Sequence, residues 1–129
     1  MEIVSIILAA GKGRRMNSDL PKPLHKIAGK SLMNWLEDSL DEVSVTKKLY
    51  VLGHQSEKLI TFIGATDYVI QEAQLGTGHA VKLTKDKIKN HEAIIIIAYA
   101  DTPFVPSDKI KKMISQIKEG YDISILGFV

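Results

Sequence analysis

The segment Ile3-Val4-Ser5-Ile6-Ile7-Leu8, followed at once by Ala9-Ala10-Gly11-Lys12-Gly13, constrains this 129-residue chain more than any other. A short, β-branched and nearly unbroken apolar run is the pattern of a strand covered on both faces, the usual situation in a parallel sheet. Similar runs recur at Lys48–Leu52, Tyr68–Ile70, Ile94–Ala98 and Ile123–Leu126. Helical spacing separates them. Leu32, Leu36, Leu40 and Val43 form one stripe, and Ile110, Met113, Ile114 and Ile117 form another, with Ser107 placed as its N-cap. Leu59–Ile63 and Gly78–Ile88 read as shorter helices. Strand and helix in alternation predict an α/β domain: a mostly parallel sheet with helices on both faces. Ligands in such a fold bind beyond the carboxyl ends of the strands, so the loops after them are the places to look.

Charge separates these loops. Residues 11–30 hold six bases (Lys12, Arg14, Arg15, Lys22, Lys26, Lys30) against the single acid Asp19, while the rest of the chain has eleven bases and fourteen acids. A basic stretch on an otherwise acidic body suggests an anionic ligand. The absence of cysteine excludes disulfides, thiolate metal sites and cysteine nucleophiles. The lysines from Lys85 onward lie mostly opposite the apolar stripes and read as solvated faces, so no nucleic-acid surface is expected. The start Met1-Glu2 is not basic, and Ile3–Ala10 is too short for a signal peptide or a membrane span. A cytoplasmic protein with no membrane partner is the expectation.

Three loops carry chemistry. In the first, small residues after the strand let a phosphate approach backbone amides. Lys12, Arg14 and Arg15 add charge there, and Lys22 stands between Pro21 and Pro23 on a stiffened segment. Two known phosphate motifs fail. The dinucleotide fingerprint lacks its third glycine, because Met16 stands there, and Gly29-Lys30-Ser31 lacks the earlier glycine of a P-loop, because Leu24 stands there. The second loop, Gln71-Glu72-Ala73-Gln74-Leu75-Gly76-Thr77-Gly78, offers amide side chains that can read a nucleobase edge and a helix start with free amides. Gly-Thr-Gly serves equally as a plain turn into a helix. The third is Tyr99-Ala100-Asp101-Thr102-Pro103, where Asp101 is placed either to hold a divalent cation or to cap a turn. His25, His54, His79 and His91 have no ligand spacing and are given no role, and Trp35 reads as the buried margin of the first long helix.

In this order the three runs resemble the signatures of sugar-phosphate nucleotidyltransferases. The match is with Leu8-Ala9-Ala10-Gly11-x-Gly13-x-Arg15-Met16 with Pro21-Lys22, then Gln71 to Ala80, then Tyr99-Ala100-Asp101-x-Pro103. It narrows to the pyrophosphorylase half of the bacterial bifunctional N-acetylglucosamine-1-phosphate uridylyltransferases and glucosamine-1-phosphate acetyltransferases. The resemblance implies a Rossmann-like sheet of the nucleotide-diphospho-sugar transferase type. It also implies formation of UDP-N-acetylglucosamine and pyrophosphate from UTP and N-acetylglucosamine 1-phosphate with Mg2+. By the same resemblance Leu8, Ala9, Ala10 and Gly11 would lie along the uridine and its phosphates, and Arg15 and Lys22 would neutralise the triphosphate as catalytic cations. Gln71, Gly76 and Thr77 would hold the uracil with Gln74 nearby. Tyr99 and Ala100 would line the sugar-nucleotide pocket, and Asp101 would bind the metal.

Two positions depart from the family pattern: Arg14 replaces a small hydroxyl residue, and Ala100 replaces a glycine whose lack of a side chain would admit the ligand closely. The resemblance further leads to the expectation that residues 1–129 are the nucleotide-binding N-terminal part of such a domain, incomplete at its C-terminus. The sugar-binding part and the acetyltransferase domain would be missing, and the chain would associate with itself or with a chain supplying the missing half. Transferases for another base or sugar, a molybdopterin nucleotidyltransferase, or a non-catalytic nucleotide-binding remnant are the competing readings.

Overall fold

The computed structural model describes residues 1–11, 20–53, 56–64 and 67–127. Arg15, with Lys12 and Arg14, lies outside the described residues. Four parallel strands form the sheet: β1 (Ile3–Ala9), β4 (Lys47–Leu52), β5 (Tyr68–Ile70) and β6 (Ile94–Tyr99), in the spatial order β5-β4-β1-β6. β1 is central and buried along its whole length, as its unbroken apolar run requires. Its register sets Ala9 beside Leu52 and Leu8 beside Tyr99, so the strands end level and their following loops meet at one rim.

Helices α1 (Leu32–Glu42), α2 (Glu57–Ile63), α3 (Thr77–Lys82) and α4 (Ser107–Lys118) cover the sheet on both faces. Ile7 and Ala9 of β1 pack with Met33, Leu36 and Leu40 of α1 and Leu59 of α2, while Ile3 packs with Ile110 and Ile114 of α4. The opposite side chains, Ile6 and Leu8, meet Ala80 of α3. An eleven-residue helix such as α1 is marginal by itself in water. Burial of Leu32, Met33, Leu36 and Leu40, worth roughly 1.5–3 kcal/mol each, holds it in place. Ser31 starts it by accepting a hydrogen bond from the amide of Asn34.

Several expectations need correction. The run Ile123–Leu126 is not a strand, and Ile123 and Ile125 are 75% and 84% exposed. Its alternation expresses a local preference, but a strand also needs a partner for its backbone, and none of the four sheet strands pairs with it. The run Ile94–Ala98 was expected to be covered on both faces like β1; instead β6 is an edge of the described sheet, and Ile95, Ile97 and Tyr99 present one exposed face. Ser107 is the first helical residue and not the cap. The carbonyl of Pro106 accepts the first helical hydrogen bonds, from Lys109 and Ile110, and no side chain caps the start. The helix expected over Gly78–Ile88 stops at Lys82, and a 3₁₀ turn follows at Lys85–Lys87.

A small antiparallel hairpin, β2 (Lys26–Ile27) and β3 (Lys30–Ser31), turns through Ala28 and Gly29, both at positive φ. This gives Gly29 a turn role, consistent with rejection of the P-loop. Trp35 is only half-buried. Its indole N–H donates to the carbonyl of Ile27 at 2.8 Å, its ring meets Phe104 at 5.7 Å, and the Lys30 ammonium sits 4.5 Å above it.

Candidate nucleotide-binding cleft

The loops following β1, β5 and β6 enclose an open cleft of about 270 Å³ at the carboxyl end of the sheet. Its floor is the end of β1 and the start of the first loop, Leu8 to Gly11. One wall is Gln71, Gln74, Gly76 and Thr77 from the segment that enters α3, and the other is Tyr99 at the end of β6 with Ala100 and Asp101 after it. Lys22 and Pro23, from a 3₁₀ turn at Lys22–Leu24, close the rim. The twelve site residues expected from sequence that lie within the described residues thus line one cavity. Arg15 is outside those residues.

The polar groups are placed by specific contacts. Lys22 Nζ lies 3.4 Å from Asp101 Oδ2, a pair of opposite charges with both side chains more than a third exposed. Proline at both neighbours restricts the backbone that carries this lysine. Gln74 Nε2 donates to the carbonyl of Ala10 at 2.9 Å and ties the second loop to the first. Thr77 and Tyr99 hydroxyls approach to 3.3 Å across the cleft. Gln71 is 3% exposed; its Nε2 lies 3.2 Å from the carbonyl oxygen of Gly76 and 3.0 Å from His79 Nδ1. Ala100, substituted for an expected glycine, is 1% exposed and belongs to the apolar cluster of Ile7, Ala9 and Met33, and its amide donates to the Leu8 carbonyl.

Two residues make contacts here that the sequence did not show. His79 touches Gln71 from the first turn of α3, an arrangement visible only once the helix start is built. Gly53, directly after β4, is buried against Ala10: a Cβ there would stand 2.6 Å from the Ala10 carbonyl oxygen. The parallel pairing of β1 with β4 creates that approach.

Asp101 is the carboxylate in the cleft lining that could hold a metal. Among the described residues no three His, Asp or Glu side chains cluster to form a closed metal site. A lone carboxylate at a cleft rim suits a hard cation that draws its other ligands from phosphate oxygens and water. The perturbed acids lie elsewhere. Glu37 of α1 and Tyr50 of β4 share a 2.8 Å hydrogen bond at a separate concavity, and burial raises both groups above their ordinary ranges. No helix among the described residues is long and apolar enough to cross a membrane.

The chain is similar to known proteins in sequence and in fold. A bifunctional protein GlmU of Thermoanaerobacter pseudethanolicus is 39% identical over 129 residues, covering 98% of this chain, and the chain spans 28% of that protein's length. The fold is similar to Rv0371c of Mycobacterium tuberculosis, with a TM-score of 0.75 and 19% identity over 89% of this chain and 60% of the other. It is also similar to HddC of Yersinia pseudotuberculosis complexed with GMP-PN, with a TM-score of 0.70 and 25% identity over 93% of this chain and 55% of the other. The loops just described fall within residues 5–128, the stretch matched by the model of the MobA-like NTP transferase domain, and the chain belongs to that family.

Proposed function

We propose that residues 1–129 form the nucleotide-binding part of a uridylyltransferase that joins UTP to N-acetylglucosamine 1-phosphate. The products are UDP-N-acetylglucosamine, a cell-wall precursor, and pyrophosphate. One observation carries the reading. A small-residue loop, a buried amide and an opposed Lys22–Asp101 pair converge on one cleft of about 270 Å³. The kinship with GlmU supports the choice of base and sugar. These substrates are cytoplasmic metabolites, so the protein is assigned to the cytoplasm. The sugar-binding and acetyltransferase parts would come from sequence outside these residues or from an associating chain.

The chemistry needs no protein nucleophile. An oxygen of the sugar phosphate attacks the α-phosphorus of UTP, a new P–O bond forms, the bond to the β-phosphate oxygen breaks, and pyrophosphate leaves with the electron pair. The protein's part is to align the reactants and balance developing charge. The first-loop backbone from Leu8 to Gly11 lies along the uridine phosphates. Lys22, with Arg15 by resemblance, balances the triphosphate. Asp101 is suited to hold Mg2+. When bound, that ion offsets charge on the phosphate oxygens. Gln71, Gly76 and Thr77 hold the base, Gln74 fixes the loop beneath it, and Tyr99 and Ala100 line the sugar-nucleotide side.

Isothermal titration of the chain with UTP and Mg2+ tests the reading. Saturable binding is expected; no heat at millimolar ligand would remove it. Competition with GTP separates uridine from guanosine transferases, since a MobA-like family model matches the chain.

A further inference from the structure

We infer that His79 is a positioning residue that fixes which end of the Gln71 amide faces the base, and so makes the cleft selective for bases bearing a ring N–H. The inference rests on the nucleotide reading above and adds a determinant of base choice to it.

The two ends of a glutamine amide have almost the same shape, so their assignment depends on neighbours. Here one neighbour is unambiguous. The Gly76 carbonyl oxygen, 3.2 Å away, can only accept, so the facing amide atom must be the nitrogen. The same nitrogen lies 3.0 Å from His79 Nδ1. Its second hydrogen points to a ring nitrogen that must then carry a lone pair, which places the imidazole proton on Nε2. Turning the amide over would set two acceptors against each other at Gly76. The carbonyl and the imidazole together therefore hold the amide in one sense.

What remains of Gln71 is its carbonyl oxygen, on a residue that is 3% exposed and lines the cleft. The amide's own hydrogens are already bound, so Gln71 presents an acceptor. Uracil carries an imide N–H at the matching edge, as guanine and thymine carry ring N–H groups. Cytosine and adenine show a lone pair there. On a side chain this buried, an acceptor facing a lone pair is left unsatisfied, and the mismatch is felt strongly.

Titration of the wild-type chain and two variants with Mg–UTP and Mg–CTP tests the assignment. Both ligands share the triphosphate, so general damage cancels in the ratio of their affinities. Wild type is expected to favour UTP by roughly tenfold or more, the range of one unsatisfied buried acceptor. His79→Ala frees one amide hydrogen, and the preference should fall by about threefold or more, while Gly76 still restrains the amide. His79→Asp keeps an acceptor oxygen one bond beyond Cγ, where Nδ1 stands, and should retain the wild-type ratio. An unaltered ratio in His79→Ala, with UTP still bound, overturns the role of His79 and leaves the nucleotide reading intact. Failure of wild type to bind UTP removes both. Nitrogen-15 resonances of the free wild-type chain give a check that needs no variant: Nδ1 should appear unprotonated and Nε2 protonated. A proton on Nδ1 would overturn the inference.

Discussion

Replacing Gly53 with alanine probes how closely the first loop is held against the sheet. The new Cβ would stand 2.6 Å from the Ala10 carbonyl oxygen and 3.3 Å from its carbon, where ordinary contact begins at 3.4 Å, so something must move by about 0.8 Å. Neither side yields easily: Gly53 follows directly on buried β4, and the oxygen it meets also accepts the Gln74 amide at 2.9 Å. Overpacking of this kind costs about 1–3 kcal/mol, and a strained or lost hydrogen bond adds about 0.5–1.5 kcal/mol. A combined loss of about 2–3 kcal/mol, at roughly 4 °C per kcal/mol for a chain of this size, lowers Tm by about 10 °C. Because Ala10 forms the floor of the cleft, affinity for Mg–UTP should also fall. Thermal unfolding by circular dichroism and calorimetric titration measure the two effects. Gly78→Ala is the internal control. Nothing lies within 4 Å of its added Cβ, it sits in α3, and it should stabilise the chain by up to about 1 kcal/mol. A Gly53→Ala protein that melts within about 2 °C of wild type and binds UTP unchanged would refute the reasoning.

Other outcomes follow from the same structure. Lys22→Ala and Asp101→Asn remove an exposed ion pair, so each should move Tm by less than about 2 °C yet weaken Mg–UTP roughly tenfold; unchanged affinity would count against both assignments. Burial raises the Glu37 carboxyl above the usual range, opposed by the Tyr50 hydroxyl and Lys48. The folded state therefore binds that proton more tightly than the unfolded state, and Glu37 contributes stability as pH falls through the window above the ordinary carboxylate value. Glu37→Gln should flatten that part of a urea-denaturation profile taken between about pH 4 and 7, and an unchanged slope would refute it. Tyr50 is also raised, so stability should decline once the pH exceeds the ordinary tyrosine value of 10.0, where the unfolded chain begins to lose this proton and the folded chain keeps it. Ultraviolet titration should show Tyr50 ionising later than a free tyrosine. The chain spans 28% of the GlmU relative's length, so turnover by these 129 residues alone should be slow or absent, and robust pyrophosphate release would contradict that.

How far the sequence could be read depended on whether a signal was local. β1 was legible, because burial on both faces demands an unbroken apolar run. The three candidate loops could be brought together in advance for a topological reason: parallel strands put their following loops at one end. The hairpin at Lys26–Ser31 was not legible. Its four strand residues have no alternation to detect, and part of its support is the bond from Trp35 to Ile27, made by a side chain of α1. The segment Ile123–Leu126 shows the opposite error: strand-like residues whose pairing depends on what lies beside them. His79 and Gly53 escaped notice for the same physical reason. Their contacts, with Gln71 and with Ala10, exist only after distant backbone has been aligned.

The contact between Lys22 and Asp101 also bears on which form of ligand the cleft favours. With each charge facing the other, the pair itself is already neutralised. A bare cation taking Asp101 would leave Lys22 without its counter-charge, and a bare polyphosphate taking Lys22 would do the same to Asp101. A metal–nucleotide complex brings both signs at once and leaves neither unbalanced. On the proposed reading each component would raise the affinity for the other by the same factor, so this pair would favour the assembled complex over its parts.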